Sequence, residues 1–331
     1  MRPLRLGTRR SRLATSQSQL VADAITAATG RVVELVEVTT EGDVNRQSLS
    51  QIGGTGVFVS ALRDALLRGE VDIAVHSLKD IPTTPEPGLA LAAVPVREDP
   101  RDVLVARDGL TLGELPEGSR IGTGSPRRAA QLRALGLGLE VVDIRGNVDT
   151  RLGLVSGGIL DGVLLARAGL LRLGLASVAT EVLDPLQVLP APGQGALAVE
   201  CRADDEDALA ACKPMDDAAT RACVTAERTL LATLEAGCTA PLGALADFVD
   251  DGADFVDEGE PGEAYTRPEL YLRAVVASLE GVDLRRSATG PADDAVGLGR
   301  RLAETLLEDG ARDLMEADPP DAARPDVRPR P

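Results

Sequence analysis

The chain has no tryptophan, two tyrosines and three phenylalanines, so aromatics make up 2% of its 331 residues. A core of Leu, Val, Ala and Ile must serve instead. With neither interleaved aromatics nor a basic stripe, nucleic-acid binding is disfavoured. Lysine is almost missing, since Lys79 and Lys213 are the only two, and His76 is the sole histidine. The four cysteines (201, 212, 223 and 238) form no C-x-x-C pair, which excludes a structural zinc site. No apolar run reaches membrane-spanning length, and the opening MRPLRLGT reads as a strand rather than a signal peptide. The expectation is a cytoplasmic protein without disulfides, metal or membrane partner.

What the chain does have is acid: 52 acidic residues against 35 basic ones, a formal charge of −17. The excess is spread along the sequence. With so few lysines it reads as adaptation to high salt, where self-repulsion is screened, although a GC-rich genome would also favour arginine over lysine.

Against that acidity the arginines stand out by position. GTRRS (7–11), GTGSPRR (122–128) and RGNVDTR (145–151) each lie where a strand pattern turns into a helix. A helix N-terminus offers unpaired N–H groups and a positive dipole end. Arginines placed there make a site for carboxylate or phosphate. Three such junctions predict a cationic pocket for a multiply charged anion.

The pattern along the chain alternates strand and helix. Strands are expected at 4–8, 32–38 and 71–77, with helices from Ser11 to Gly30 and over 57–69. After the polar turn REDPRD (97–102) the same order restarts: RIGT (120–123), a helix from Ser125 with Pro126 in its first turn, VVDIR (141–145), a helix from Asn147, and DGVLLA (161–166). Chain crossovers fall near 98–102 and 190–197, with ALAVEC (196–201) rejoining the first sheet. The fold class is α/β: two hinged lobes, like those of periplasmic binding proteins, plus a smaller C-terminal α+β domain. Expected boundaries are 1–97 with 196–214, then 102–191, then 215–315. The acidic stretch 247–265 is a solvated loop, and 316–331 a disordered tail.

HSLKDIP (76–82) leaves a buried strand end, where open α/β sheets bind ligands. Lys79 and Asp80 are there either a surface ion pair or cleft residues, and the residues alone leave both open. Cys238, taken alone, is a small buried hydrophobe.

Taken together, LRLGTRRSRLA, HSLKDIP, GTGSPRR, RGNVDTR, LPAPGQGALAVECR and TAERTLLATLEAGCTAPLG resemble the porphobilinogen deaminase (hydroxymethylbilane synthase) family, in order from residue 4 to about 315. The resemblance implies head-to-tail condensation of four porphobilinogen units with loss of ammonia, on a dipyrromethane cofactor joined by thioether to Cys238. It implies Asp80 as the catalytic group, stabilising positive charge on the pyrrole as ammonia leaves. It places Ser77, Lys79, Thr123, Ser125, Arg127, Arg128, Arg145 and Gly146 on the cofactor. Arg9, Ser11, Gln17, Phe58, Arg145, Arg151 and Arg172 fall to the substrate and growing polypyrrole. The ligands fit, because each pyrrole carries two carboxylates that arginine forks bind bidentately.

The glycine-rich 41–56 stretch is expected to be a lid. The family also implies a monomer whose product passes to uroporphyrinogen III synthase. Departures from the family pattern are Thr55, Ser60, Gly124, Pro126 and Arg167. The arginines by themselves also suit a non-catalytic hinged binder of a small anion; Cys238 and Asp80 are what such a binder would not need.

Overall fold

The computed structural model describes residues 2–38, 56–236, 240–249 and 268–316. Cys238, the expected lid apart from Gly56, the acidic stretch from 250 onward and the expected tail from 317 lie outside the described residues.

The first lobe is a five-stranded sheet. Its first helix, α1 (Arg12–Thr29), starts where the Ser11 side chain accepts the Ala14 N–H at 3.3 Å, and stops where Gly30 turns left-handed at φ 70°. Val21, Ala22 and Ile25 on its buried face cover strands β1 (Leu4–Thr8) and β2 (Val33–Glu37). Helix α2 (Gly56–Leu67) and strands β3 (Ile73–Ser77) and β4 (Leu89–Ala93) follow. β1 pairs parallel with β2 and β3, as the strand–helix–strand grammar requires.

The second lobe repeats the plan. β5 (Asp102–Ala106), β6 (Arg120–Gly122), α3 (Pro126–Ala134), β7 (Glu140–Val142), α4 (Val148–Ser156), β8 (Gly162–Ala166), α5 (Arg167–Arg172) and β9 (Glu181–Val182) form it. The strand orders are β2-β1-β3-β10-β4 and β7-β6-β8-β5-β9, where β10 is Leu197–Arg202. In each sheet four strands run the same way, and β10 or β5 runs antiparallel between two of them. The chain crosses between lobes twice, over 94–101 and 183–196.

Two expectations need correction. The strand expected at 141–145 ends at Val142, because its partner β6 stops at Gly122. Asp102 belongs to no turn: it opens the buried strand β5.

Beyond β10 come α6 (Glu206–Cys212), α7 (Ala218–Thr233), β11 (Leu242–Phe248), β12 (Glu269–Ala277), β13 (Asp283–Pro291), α8 (Ala295–Glu308) and α9 (Ala311–Glu316). Asp247 and Phe248, expected in the acidic loop, are the end of β11. Leu230, Leu270, Leu272, Leu298 and Leu306 are fully buried between α7, α8 and this antiparallel sheet. Each contributes about 1.5–3 kcal/mol by leaving water. A Cβ on Gly299 would lie 2.4 Å from the Ala226 carbonyl, so α7 and α8 cross too closely there for any side chain. No helix among the described residues is long and apolar enough to cross a membrane.

Buried carboxylates pin the first lobe. Asp72, fully buried, is gripped by Arg2 and Arg5, each through two nitrogens, and more distantly by Arg202. Glu200 accepts from Arg63 at 2.7 and 3.0 Å and lies 3.3 Å from His76. Burial works to raise both acids, but the cationic partners win: Asp72 is held well below the usual carboxylate range and Glu200 is lowered to about 2. Acids depressed in the folded state stabilise it above their unfolded values and lose that contribution as pH falls through the folded ones. Stability should therefore be flat from about pH 5 to about pH 7 and fall steeply towards pH 2. Acid titration followed by circular dichroism checks this; an unfolding midpoint above pH 5 would contradict it.

Candidate functional site

The site is assembled from strand ends. β3 runs as a buried strand to Ser77, and one 3-10 turn, Leu78–Asp80, follows at once. Leu78 is fully buried and anchors the turn, which leaves Asp80 exposed at its end. Helix α7 braces it from behind: Arg228 donates to the carbonyls of Leu78 (3.2 Å), Ile81 (3.0 Å) and Pro82 (2.8 Å). Gln17, on the buried face of α1, donates to Ser77 Oγ at 3.2 Å. Arg9 is half-buried at the end of β1, ahead of the Ser11 cap, and its carbonyl accepts from Thr15.

In the second lobe Ser125 caps α3 by accepting the Arg128 N–H, and its own N–H donates to Thr123 Oγ1 at 3.2 Å. Pro126 sits at the first helical position, which its ring suits. Gly124 also has a local reason: a Cβ there would lie 2.5 Å from the Ile144 carbonyl. Arg127 and Arg128 are buried rather than solvated. Arg127 donates to Leu189 O (2.5 Å) and pairs with Asp102 Oδ2 (2.8 Å). Arg128 donates to Leu164 O (3.0 Å) and to Asp102 Oδ1 (2.7 Å).

Asn147 caps α4, and Gly146 before it takes φ 110°, which favours glycine. Arg151 is half-buried and donates to Gly146 O at 2.9 Å. Arg145 is exposed and lies 3.4 Å from Asp143. Arg172 donates to Gly195 O in the second crossover at 2.6 Å. Phe58 falls in the first turn of α2. Not every junction arginine joins the site, since Arg10 is exposed and pairs with Glu37. Arg167 pairs with Asp99 of the first crossover at 3.1 Å, which gives this departure from the family pattern a partner.

Sequence reasoning missed four residues that hold this arrangement. Gln194 donates to Asp102 (2.7 Å) and to Pro100 O (2.6 Å), and accepts from Lys79 Nζ (3.2 Å). Glu227, fully buried on α7, takes both Arg97 guanidinium nitrogens (2.6 and 3.0 Å) and the N–H groups of Gly193 and Ala246. The others are Asp102 and Arg228. Gln194, Glu227 and Arg228 lie inside the motifs LPAPGQGALAVECR and TAERTLLATLEAGCTAPLG, but nothing local says what they bond, because their partners lie far along the chain. The only signal was Asp102 standing directly before the apolar run VLVA.

Electrostatically the site is short of negative charge. Burial lowers Lys79 to about 8, with Arg128 and Arg127 acting the same way and Asp80 and Asp102 opposing. Burial likewise lowers Arg151, with Arg128 and Arg145 adding to it, and lowers Arg172. Asp102 is held far below the usual range by Arg127 and Arg128, in spite of burial that would raise it. The Nε atoms of Arg127 and Arg128 are buried without a hydrogen-bond partner among the described residues. Desolvated cations in excess, with donors unspent, fit a ligand bearing several carboxylates.

Comparison with known proteins agrees with this geometry. Residues 4–210 match the family model "Porphobilinogen deaminase, dipyromethane cofactor binding domain", and residues 221–308 match "Porphobilinogen deaminase, C-terminal domain". The chain is 60% identical over 326 residues to Porphobilinogen deaminase 1 of Streptomyces avermitilis, covering 94% of this chain and 97% of that protein. It is 56% identical over 314 residues to Porphobilinogen deaminase of Nocardia farcinica, covering 95% and 88%. Among solved structures it is similar to the methionine binding protein MetQ, with a TM-score of 0.43 and 13% identity over 64% of this chain and 89% of that one. Two matched domains spanning most of the sequence, and relatives of this identity over nearly their whole length, place the chain in the porphobilinogen deaminase family.

Proposed function

We propose that the chain is a hydroxymethylbilane synthase, a transferase that condenses porphobilinogen head to tail and releases ammonia at each step. The observation that carries the reading is the buried pair Arg127 and Arg128, one carboxylate short of neutrality and linked through Gln194 to the turn bearing Asp80. Thr123, Ser125, Arg127 and Arg128 would hold the carboxylates of a dipyrromethane, with Ser77, Lys79, Arg145 and Gly146 around them. That group, bound through Cys238, supplies the pyrrole terminus to which a new unit is joined. Arg9, Ser11, Gln17, Phe58, Arg145, Arg151 and Arg172 bind the acetate and propionate groups of substrate and growing chain, and orient them.

Asp80 accepts hydrogen bonds from pyrrole N–H and offsets the positive charge that develops as ammonia leaves. Its carboxylate can then take the proton lost when the new C–C bond forms. Three domains follow from this division of labour: 1–97 with 196–214 carries Asp80, 102–191 the paired arginines, and 215–315 the cysteine. The protein acts as a cytoplasmic monomer, and its product feeds a uroporphyrinogen III synthase. The relatives named above come from Streptomyces and Nocardia and lend the high-salt reading no support.

Intact mass tests the anchor. The wild-type protein should weigh more than its sequence by two linked pyrrole units, and Cys238→Ser should carry no such addition and no activity. A wild-type mass equal to the bare chain, unchanged by incubation with porphobilinogen, would favour a non-catalytic binder of small anions.

A further inference from the structure

Outside the ligand-facing residues, the buried carboxylate that meets the paired arginines directly is Asp102. It is fully buried, and it stands at the first position of β5, immediately after the chain has crossed between lobes. One oxygen accepts from Arg128 and Gln194, each at 2.7 Å, and the other lies 2.8 Å from Arg127. Two desolvated guanidinium groups held side by side repel each other, and a single carboxylate between them offsets that repulsion without neutralising both. The Gln194 amide is spent as well: its N–H groups go to Asp102 and to Pro100 O, so its oxygen is turned to Lys79. A continuous path of polar contacts therefore runs from the arginines of one lobe, across both crossovers, to the catalytic turn of the other.

We infer that Asp102 is a positioning residue for this reaction: a fixed counter-charge that holds Arg127 and Arg128 together for the incoming carboxylates and, through Gln194, ties them to the Lys79–Asp80 turn. The inference rests on the reading of this pocket as the dipyrromethane site. Two consequences separate such a role from mere support of the fold. Without Asp102 the paired arginines splay, and cofactor uptake suffers. Lys79 also loses one of the two carboxylates that favour its charged form, while Arg127 and Arg128 still oppose it, so its ammonium is lost at lower pH.

The test compares wild type, Asp102→Asn and Gln194→Met as full-length proteins. Circular dichroism reports folding, intact mass reports cofactor occupancy after incubation with porphobilinogen, and kcat and KM are followed against pH. Asp102→Asn is expected to fold, to load cofactor about tenfold more slowly, and to show its alkaline fall in kcat roughly one pH unit lower than wild type. Gln194→Met leaves the arginine pair intact but removes the tie to Lys79. It should load normally, and because the Lys79 ammonium loses its Gln194 Oε1 acceptor while keeping Asp102, its alkaline limb should also move lower. Slow loading or an unmoved limb in Gln194→Met would overturn the inference even if Asp102→Asn fails to fold. Loading and pH limbs that match wild type in a folded Asp102→Asn would overturn the inference while leaving the pocket assignment standing. An unloaded wild type that porphobilinogen cannot modify would bring down the pocket assignment, and the inference with it.

Discussion

Asp80→Ala should fold, acquire its covalent cofactor and yet turn over porphobilinogen about a thousandfold more slowly than wild type. The fold should survive because nothing holding the turn depends on this carboxylate. Leu78 is buried beneath it, and Arg228 grips the backbone carbonyls of residues 78, 81 and 82. Lys79 keeps its bond to Gln194. What disappears is negative charge at the exposed end of the turn, where the proposed reaction would develop positive charge on the substrate. Asp80→Asn is the sharper companion, since it keeps a hydrogen-bond acceptor of the same size and removes only the charge. Single-turnover rates on mass-verified holoprotein make the measurement, and a rate within about tenfold of wild type for Asp80→Ala would remove Asp80 from its assigned role.

Glu227→Ala should destabilise the protein by about 3–5 kcal/mol. The carboxylate is fully buried and takes four hydrogen bonds, two from Arg97 and one each from the N–H groups of Gly193 and Ala246. Truncation strands the Arg97 guanidinium and two backbone donors in a dry interior. The loss extends beyond one element, since Arg97 lies in the first crossover, Gly193 in the second, and Ala246 in the C-terminal sheet. With no tryptophan to report unfolding, calorimetry is the measurement, and a midpoint about 10 °C lower is expected. A midpoint within about 2 °C of wild type would mean that the crossovers are held by something else.

Much of the scaffold could be read from the chain because its signals are local. Ser11, Ser125 and Asn147 each announce a helix and each caps one through its own side chain. The runs IAVHS and LAVECR are apolar enough to be internal strands, and they are. The paired arginines were visible for the same reason, as charges sitting at strand-to-helix junctions. What the sequence hid was the answering charge. Asp102 lies in REDPRD, a string whose local chemistry says turn, and only the sheet shows that its last residue begins β5 beneath two arginines from 25 residues further on or more. Gln194 and Glu227 stand inside quoted motifs, but their roles were hidden on the same grounds, since their partners are distant in the chain. Gly195 makes the point from the backbone side: a Cβ there would lie 2.3 Å from the Glu98 carbonyl, a contact between two crossovers that no stretch of sequence displays.

The interleaved strand order also dictates the sequence in which the molecule can be completed as it is synthesised. Among the described residues, β4 is hydrogen-bonded into its sheet only through β10, more than a hundred residues later. The second lobe, by contrast, has all five of its strands by Val182. A nascent chain therefore finishes its middle portion first, while the amino-terminal portion waits with β3 unpaired on one side and β4 unattached. The half that carries Asp80 closes only when residues 197–202 arrive, so a chain released before that point exposes a sheet edge open to pairing with another copy.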